Sequence, residues 1–189
     1  MSAPQKSQTS EVQLVKIENR TEFLRLTEQY MDQLYSVAVG MTRDHYLAQD
    51  LVQETYLKAF KSFSNLNDHS NIKAWLFRIL TNSYISLYRK KKVRPQEQKF
   101  DETFQAPASK SWEPEEVFNQ SFGNEDLRKA IDDLPEANRL VVLMVDAEGF
   151  SYKETAEILD IPIGTVMSPL NRGRTALQNA LISYRHAML

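Results

Sequence analysis

The chain of 189 residues has no cysteine, five glycines, three histidines and no apolar run long enough to cross a bilayer. Each shortage excludes a class of protein. Without cysteine there is no disulfide, no thiolate metal site and no cysteine nucleophile, and nothing points to an oxidising compartment. The histidines, His45, His69 and His186, fall in separate segments without metal-ligand spacing. Glycine is too scattered for a phosphate-cradling loop, and no nucleophile elbow occurs. The expectation is a protein that is not an enzyme, with no cofactor, no metal and no small-molecule substrate. The opening residues, MSAPQKSQTSEVQ, are polar and lack a secretory core, so a soluble cytoplasmic protein without membrane insertion is expected.

Net charge is also scarce, at −2, which argues weakly against nucleic acid until the charges are located. Up to Pro95 there are 14 basic and 9 acidic residues, from Gln96 to Asn124 there are 2 and 6, and from Glu125 onward 7 and 10. The basic excess gathers in Arg89, Lys90, Lys91, Lys92 and Arg94, a local footprint suited to phosphate.

What is present is helical periodicity. Phe23, Leu24, Leu26, Tyr30, Leu34, Tyr35 and Val37 to Val39 form one stripe. Leu47, Leu51, Val52, Thr55, Tyr56, Ala59 and Phe60 form a second, and Ile72, Trp75, Leu76, Ile79, Leu80 and Ile85 a third. Pro95, Pro107 and Pro114 then interrupt an acidic, polar stretch that has the composition of a linker. Periodicity resumes at Glu125, and Pro135 suits the first turn of a further helix. No strand pattern or repeat occurs. The expected fold is all-α: a tail over 1–20, a helical domain over 21–95, a flexible linker over 96–124 and a small helical domain over 125–189.

The last domain holds the sharpest motif, SYKETAEILDIPIGTVMSPLNRGRTALQNA, from Ser151 to Ala180. Ser151 and Glu154 form a capping box that fixes a helix start, and Asp160 to Gly164 supplies a turn. Ala156, Ile158, Leu159, Val166 and Leu170 suit the inside of a helix-turn-helix. Thr165, Ser168, Asn171, Arg172 and Arg174 would then face outward, with the donors, acceptors and cations that contact base edges and phosphates. Helical hairpins of this kind also occur in proteins that never meet DNA. Pro169 objects to a continuous helix: either the helix starts late, with Ser168 and Pro169 as its cap and first residue, or it starts at Thr165 and kinks.

Two other segments hold candidate contacts. In NIKAWLFRILTNSYISLYRKKKVR, Lys73, Arg78, Asn82, Tyr84 and Tyr88 stand off the apolar stripe and lead into the cationic cluster. Interleaved aromatic and basic residues fit stacking on unpaired bases, and equally fit the solvated basic end of a helix. Asp50 and Glu54, at i and i+4 beside Gln53, make a polar patch that is either solvated or a docking face for a basic partner.

Together these runs resemble one family. DHYLAQDLVQETYLKAFKSF, IKAWLFRILTNSYISLYRKKK and LPEANRLVVLMVDAEGFSYKETAEILDIPIGTVMS are similar to the most characteristic stretches of the bacterial extracytoplasmic-function sigma factors, which have only sigma regions 2 and 4. The resemblance implies an alternative sigma factor that directs the RNA polymerase core to promoter DNA. It implies that Asp50, Gln53 and Glu54 dock on the polymerase clamp. It implies that the loop Ser64 to Ser70, with Asn65, Asn67, Asp68 and His69, captures a base of the minus-ten element. Lys73, Arg78, Asn82, Tyr84, Tyr88, Arg89, Lys90, Lys91 and Lys92 would follow that element, and Thr165, Ser168, Asn171, Arg172 and Arg174 would read the minus-thirty-five element. An anti-sigma factor is an implied partner, and the wording WLFRILTN and GTVMS looks most like oxidative-stress members held by a zinc-binding one. The other reading is a two-domain regulator that binds its operator without polymerase. The family's usual basic residue after GTVMS is replaced by Pro169, which implies weaker or altered minus-thirty-five reading.

Overall fold

The computed structural model describes residues 18–66, 70–93 and 125–187, and among these every regular element is helical. Residues 18–27 form α1, already helical three residues before the expected boundary, and a single 3-10 turn Glu28–Tyr30 leads into α2 Met31–Thr42. Arg43, left-handed at φ 58°, closes α2 by donating its amide to the Val39 carbonyl. Asp44 then caps α3 His45–Phe63, its side chain accepting from the Leu47 amide. α4 spans Ile72–Val93. After the linker come α5 Glu125–Asp132, α6 Glu136–Val142 and a wide π turn Leu143–Ala147. α7 Tyr152–Leu159, a 3-10 turn Ile163–Thr165 and α8 Met167–Ala187 complete the chain's described part.

The first half is built on aromatic packing. Phe23 of α1 meets the rings of Tyr56, Phe60 and Phe63 on α3 edge-on at 5.3–6.0 Å. The Tyr56 hydroxyl donates to the Thr27 carbonyl, and burial pushes its pKa up to about 12. α2 packs on α3 and α3 on α4. In the second half α6 crosses α8 at Gly173, where a Cβ would lie 2.6 Å from a Val142 methyl; only glycine lets the helices approach so closely.

The two expected helical domains pack directly against one another. All eight residues from Leu34 to Met41 are buried, so α2 beyond its first turn has no solvent face, and Asn138 to Met144 are buried likewise. A helix buried all round lies inside a core. The two halves share one: Leu143, Met144, Phe150 and Ile158 of the second half belong to the same cluster as Val37, Phe77 and Leu80 of the first. Where α2 meets the second half, a Cβ on Gly40 would lie 3.1 Å from both Leu143 methyls. The linker that the composition suggests, together with the tail up to residue 17, lies outside the described residues.

Three of the polar bonds across this seam follow one rule. The last carbonyls of a helix have no partner within it. Arg139 donates to the Met41 carbonyl at the end of α2, Thr81 to the Ile158 carbonyl near the end of α7, and Lys73 to the Glu148 carbonyl after the π turn. Each half thus caps helix ends of the other. Arg43 and Arg139 also converge on the Leu134 carbonyl, from opposite sides of the seam.

Candidate nucleic-acid and polymerase interfaces

The helix-turn-helix forms from local signals. Ser151 accepts from the Glu154 amide while the Glu154 carboxylate accepts from the Ser151 amide, the expected capping box. These bonds hold the Glu154 carboxyl below the usual carboxylate range. α7 ends at Asp160, left-handed at φ 54°. Ala156, Ile158, Leu159, Val166 and Leu170 are all buried, and Thr165, Ser168, Asn171, Arg172 and Arg174 are all exposed.

The structure answers the question posed by Pro169. α8 begins at Met167, so the helix starts late, but Pro169 is its third residue rather than its first. The first intrahelical bond of this end comes from the Leu170 amide to the Val166 carbonyl, one residue beyond the proline. Pro169 therefore removes no hydrogen bond, because first-turn amides have no partner within the helix.

Two of the expected DNA contacts are held by the protein itself. Arg174 forms a two-pronged pair with Asp146 of the π turn, which raises its pKa further and neutralises its charge locally. Arg172 donates to the Ser168 hydroxyl at 2.7 Å. Thr165 and Asn171 stay on the exposed face.

On α4, Arg78 and Asn82 are exposed as expected. Tyr84 is not. It is 7% exposed and lies in the seam beside Glu136 and Arg139, so burial raises its pKa and its side chain is unavailable to a DNA strand in this arrangement. The sequence placed it off the apolar stripe of α4 alone; a second apolar surface, contributed by the other half, covers that side. Lys73 is also engaged, 3.1 Å from the Glu148 carboxylate and above the Phe77 and Phe150 rings. Asn65 is exposed, but Asn67, Asp68 and His69 lie outside the described residues, as do the side chains of Tyr88, Arg89, Lys90, Lys91 and Lys92.

Burial raises the Glu148 pKa above its ordinary 4.5, the effect of desolvation outweighing Lys73. The packed seam therefore holds the proton more tightly than a state in which the two halves are apart and Glu148 is solvated. This contribution to closure is full below the ordinary value and is lost as pH rises through the raised one. Half-buried Asp132 shifts the same way. An interdomain distance followed by fluorescence transfer should shorten slightly from pH 7 to pH 5, and Glu148→Gln should flatten the response. An unchanged slope in that variant would show that Glu148 is not the group involved.

The expected polymerase-binding residues lie on one side of α3. Asp50 and Gln53 are exposed, and Glu54 pairs with Lys58 at 2.6 Å. The sequence reading missed Tyr46, 81% exposed, and Leu57, 63% exposed. Tyr46, Asp50, Gln53 and Leu57 recur at the four-three-four spacing of one helix face. Their exposure breaks the apolar pattern, a signal visible only once the buried face is known. Among the described residues no cluster of histidine and acidic side chains could hold a metal, and no helix is long and apolar enough to cross a membrane.

A helix-turn-helix reader joined to a second helical unit defines a class of two-part transcription proteins. The sequence pattern of Sigma-70 region 2 matches residues 26–94, and that of Sigma-70 region 4 matches residues 124–177. The chain is 36% identical over 148 residues to the ECF RNA polymerase sigma factor EcfG of Rhodopseudomonas palustris, covering 78% of each. It is 31% identical over 159 residues to the ECF RNA polymerase sigma factor SigE of Mycolicibacterium smegmatis, covering 84% of this chain and 61% of that one. Among solved structures, the sigma factor RpoE of Bartonella quintana, in complex with the anti-sigma factor NepR, superposes with a TM-score of 0.65 at 30% identity, over 85% of this chain and 96% of that one. This chain belongs to the extracytoplasmic-function sigma factors, the proteins that direct RNA polymerase to particular promoters. These likenesses do not bear on the finer resemblance to members held by a zinc-binding anti-sigma factor.

Proposed function

We propose that this chain is an alternative sigma factor whose α3 face docks on the polymerase core, whose α4 engages the minus-ten element and whose α8 reads the minus-thirty-five element. The observation that carries the reading is the exposed Tyr46, Asp50, Gln53 and Leu57 face. Tyrosine and leucine flanking hydrogen-bonding groups make a protein-docking surface, and exposed tyrosines are frequent anchors of such interfaces. A regulator that binds an operator unaided has no use for it.

The closed arrangement is then a state that cannot initiate. The element names place their centres about 25 base pairs apart, or about 85 Å of duplex. A compact unit of this size spans only about 40 Å. Both elements can be held at once only if the seam opens, and the 31 residues between Val93 and Glu125 can extend to about 100 Å. Opening also frees Lys73 from Glu148 and uncovers Tyr84, which returns both to the minus-ten surface.

Reconstitution with core polymerase and a genomic promoter library tests the reading. Promoter-specific transcripts should appear above those of core alone, and Tyr46→Ala with Leu57→Ala should weaken core binding about tenfold or more while leaving the fold intact. No specific transcript, or an operator bound tightly without polymerase, would favour the regulator instead.

A further inference from the structure

Met167 is the first residue of α8 and is 54% exposed, and Ile163, four residues earlier in the 3-10 turn, is 57% exposed. Single exposed apolar residues are ordinary on protein surfaces. These two stand at the end of a helix-turn-helix second helix that approaches base edges, where polar groups are the usual readers. Several of the polar groups around them are already committed. The Thr165 hydroxyl donates to the Pro162 carbonyl at 2.6 Å, Arg172 donates to Ser168, and Pro169 supplies neither charge nor donor. The apolar group exposed at the floor of the major groove is the thymine C5 methyl.

We infer that Met167 is a specificity-determining residue that reads a thymine methyl in the minus-thirty-five element. The inference rests on the sigma-factor reading and adds to it the kind of base selected. An unbranched thioether side chain adapts its shape to such a contact without needing a fixed hydrogen-bond geometry. Ile163 borders the same edge and shields it from water. Burial of one methyl group is worth about a fourfold change in affinity, so the preference is moderate and falls on one position.

The test uses the full chain with core polymerase on a promoter selected from a pool randomised in the minus-thirty-five region. Each thymine of the selected element is replaced in turn by deoxyuridine, which keeps the base pair and removes only the methyl. One replacement should lower initiation about fourfold with the unaltered chain and have no effect with Met167→Ala, whose circular dichroism should match the parent. The inference is overturned if the selected element has no thymine, if every deoxyuridine is silent, or if the loss persists in Met167→Ala. Absence of any promoter-specific transcript would instead overturn the sigma-factor reading itself.

Discussion

A leucine at position 40 is expected to part the two halves while leaving each folded. Gly40 lies inside α2, and the three nearest atoms to a Cβ there all belong to Leu143 of the other half. Within α2 the substitution is favourable, because glycine is a poor helix residue and leucine a good one, by about 0.8 kcal/mol. Across the seam it is not. Leu143 is fully buried, with its methyls 3.1 Å from the Cβ position, and a larger side chain has no room to turn. Overpacking of this kind costs about 1–3 kcal/mol, a 5- to 150-fold shift toward the open form. The chain has no cysteine, so cysteines introduced at exposed Gln29 and Gln178 can carry dyes at known places. Energy transfer should fall in Gly40→Leu, and binding of a single-stranded minus-ten oligonucleotide should strengthen as Lys73 leaves Glu148. Unchanged transfer in a folded variant would show that this approach does not hold the seam.

The relation between sequence and structure is uneven, for identifiable reasons. The capping box of Ser151 and Glu154, the turn at Asp160 and the buried Val166 and Leu170 follow from interactions within a few residues, and they stand where local chemistry puts them. The seam depends on residues about a hundred positions apart, as in the bond from Arg139 to the Met41 carbonyl, and periodicity along one helix carries no trace of it. A signal was nevertheless present. LYSVAVGM in α2 and LVVLM from Leu140 to Met144 have no charged face, and a helix apolar all round must be covered on every side. The two runs belong to different domains and cover one another. Tyr84, off the apolar stripe of α4, is buried for the same reason.

Position 169 shows the opposite case. Proline conflicts with a helix only where an amide must donate, and the sequence alone left the start of α8 uncertain by a few residues. That uncertainty decided between a kink and a tolerated first-turn proline. The turn through Ile163 and Thr165 delays the helix until Met167, so Pro169 falls where no bond is lost, and the exposed methionine becomes the first residue of α8. The pairing of Arg174 with Asp146 is not legible in the sequence, because Asp146 is 28 residues away in a turn that the sequence does not announce.

Arg139 is expected to give the largest loss of stability of any single residue at the seam. It is 4% exposed, and its two terminal nitrogens donate to the Leu134 and Met41 carbonyls at 3.0 and 3.3 Å. Its Nε has no partner among the described residues, so the guanidinium carries part of its desolvation cost unrelieved. Arg139→Ala would leave the helix-end carbonyl of α2 buried without a donor and open a cavity beside it, together costing about 3–5 kcal/mol. For a chain of this length that corresponds to a fall of roughly 10 °C in Tm. Arg139→Lys should rescue little of this, since a single ammonium cannot reproduce the planar fork that reaches carbonyls on two separate elements. Arg139→Met separates the polar role from the volume it fills. It removes the buried charge and keeps the bulk, so most of the Tm should return while the preference for the closed form, read by energy transfer between positions 29 and 178, should remain weakened. Recovery of both quantities in Arg139→Met would mean that Arg139 acts by packing alone, and that capping of α2 by the other half contributes nothing to closure.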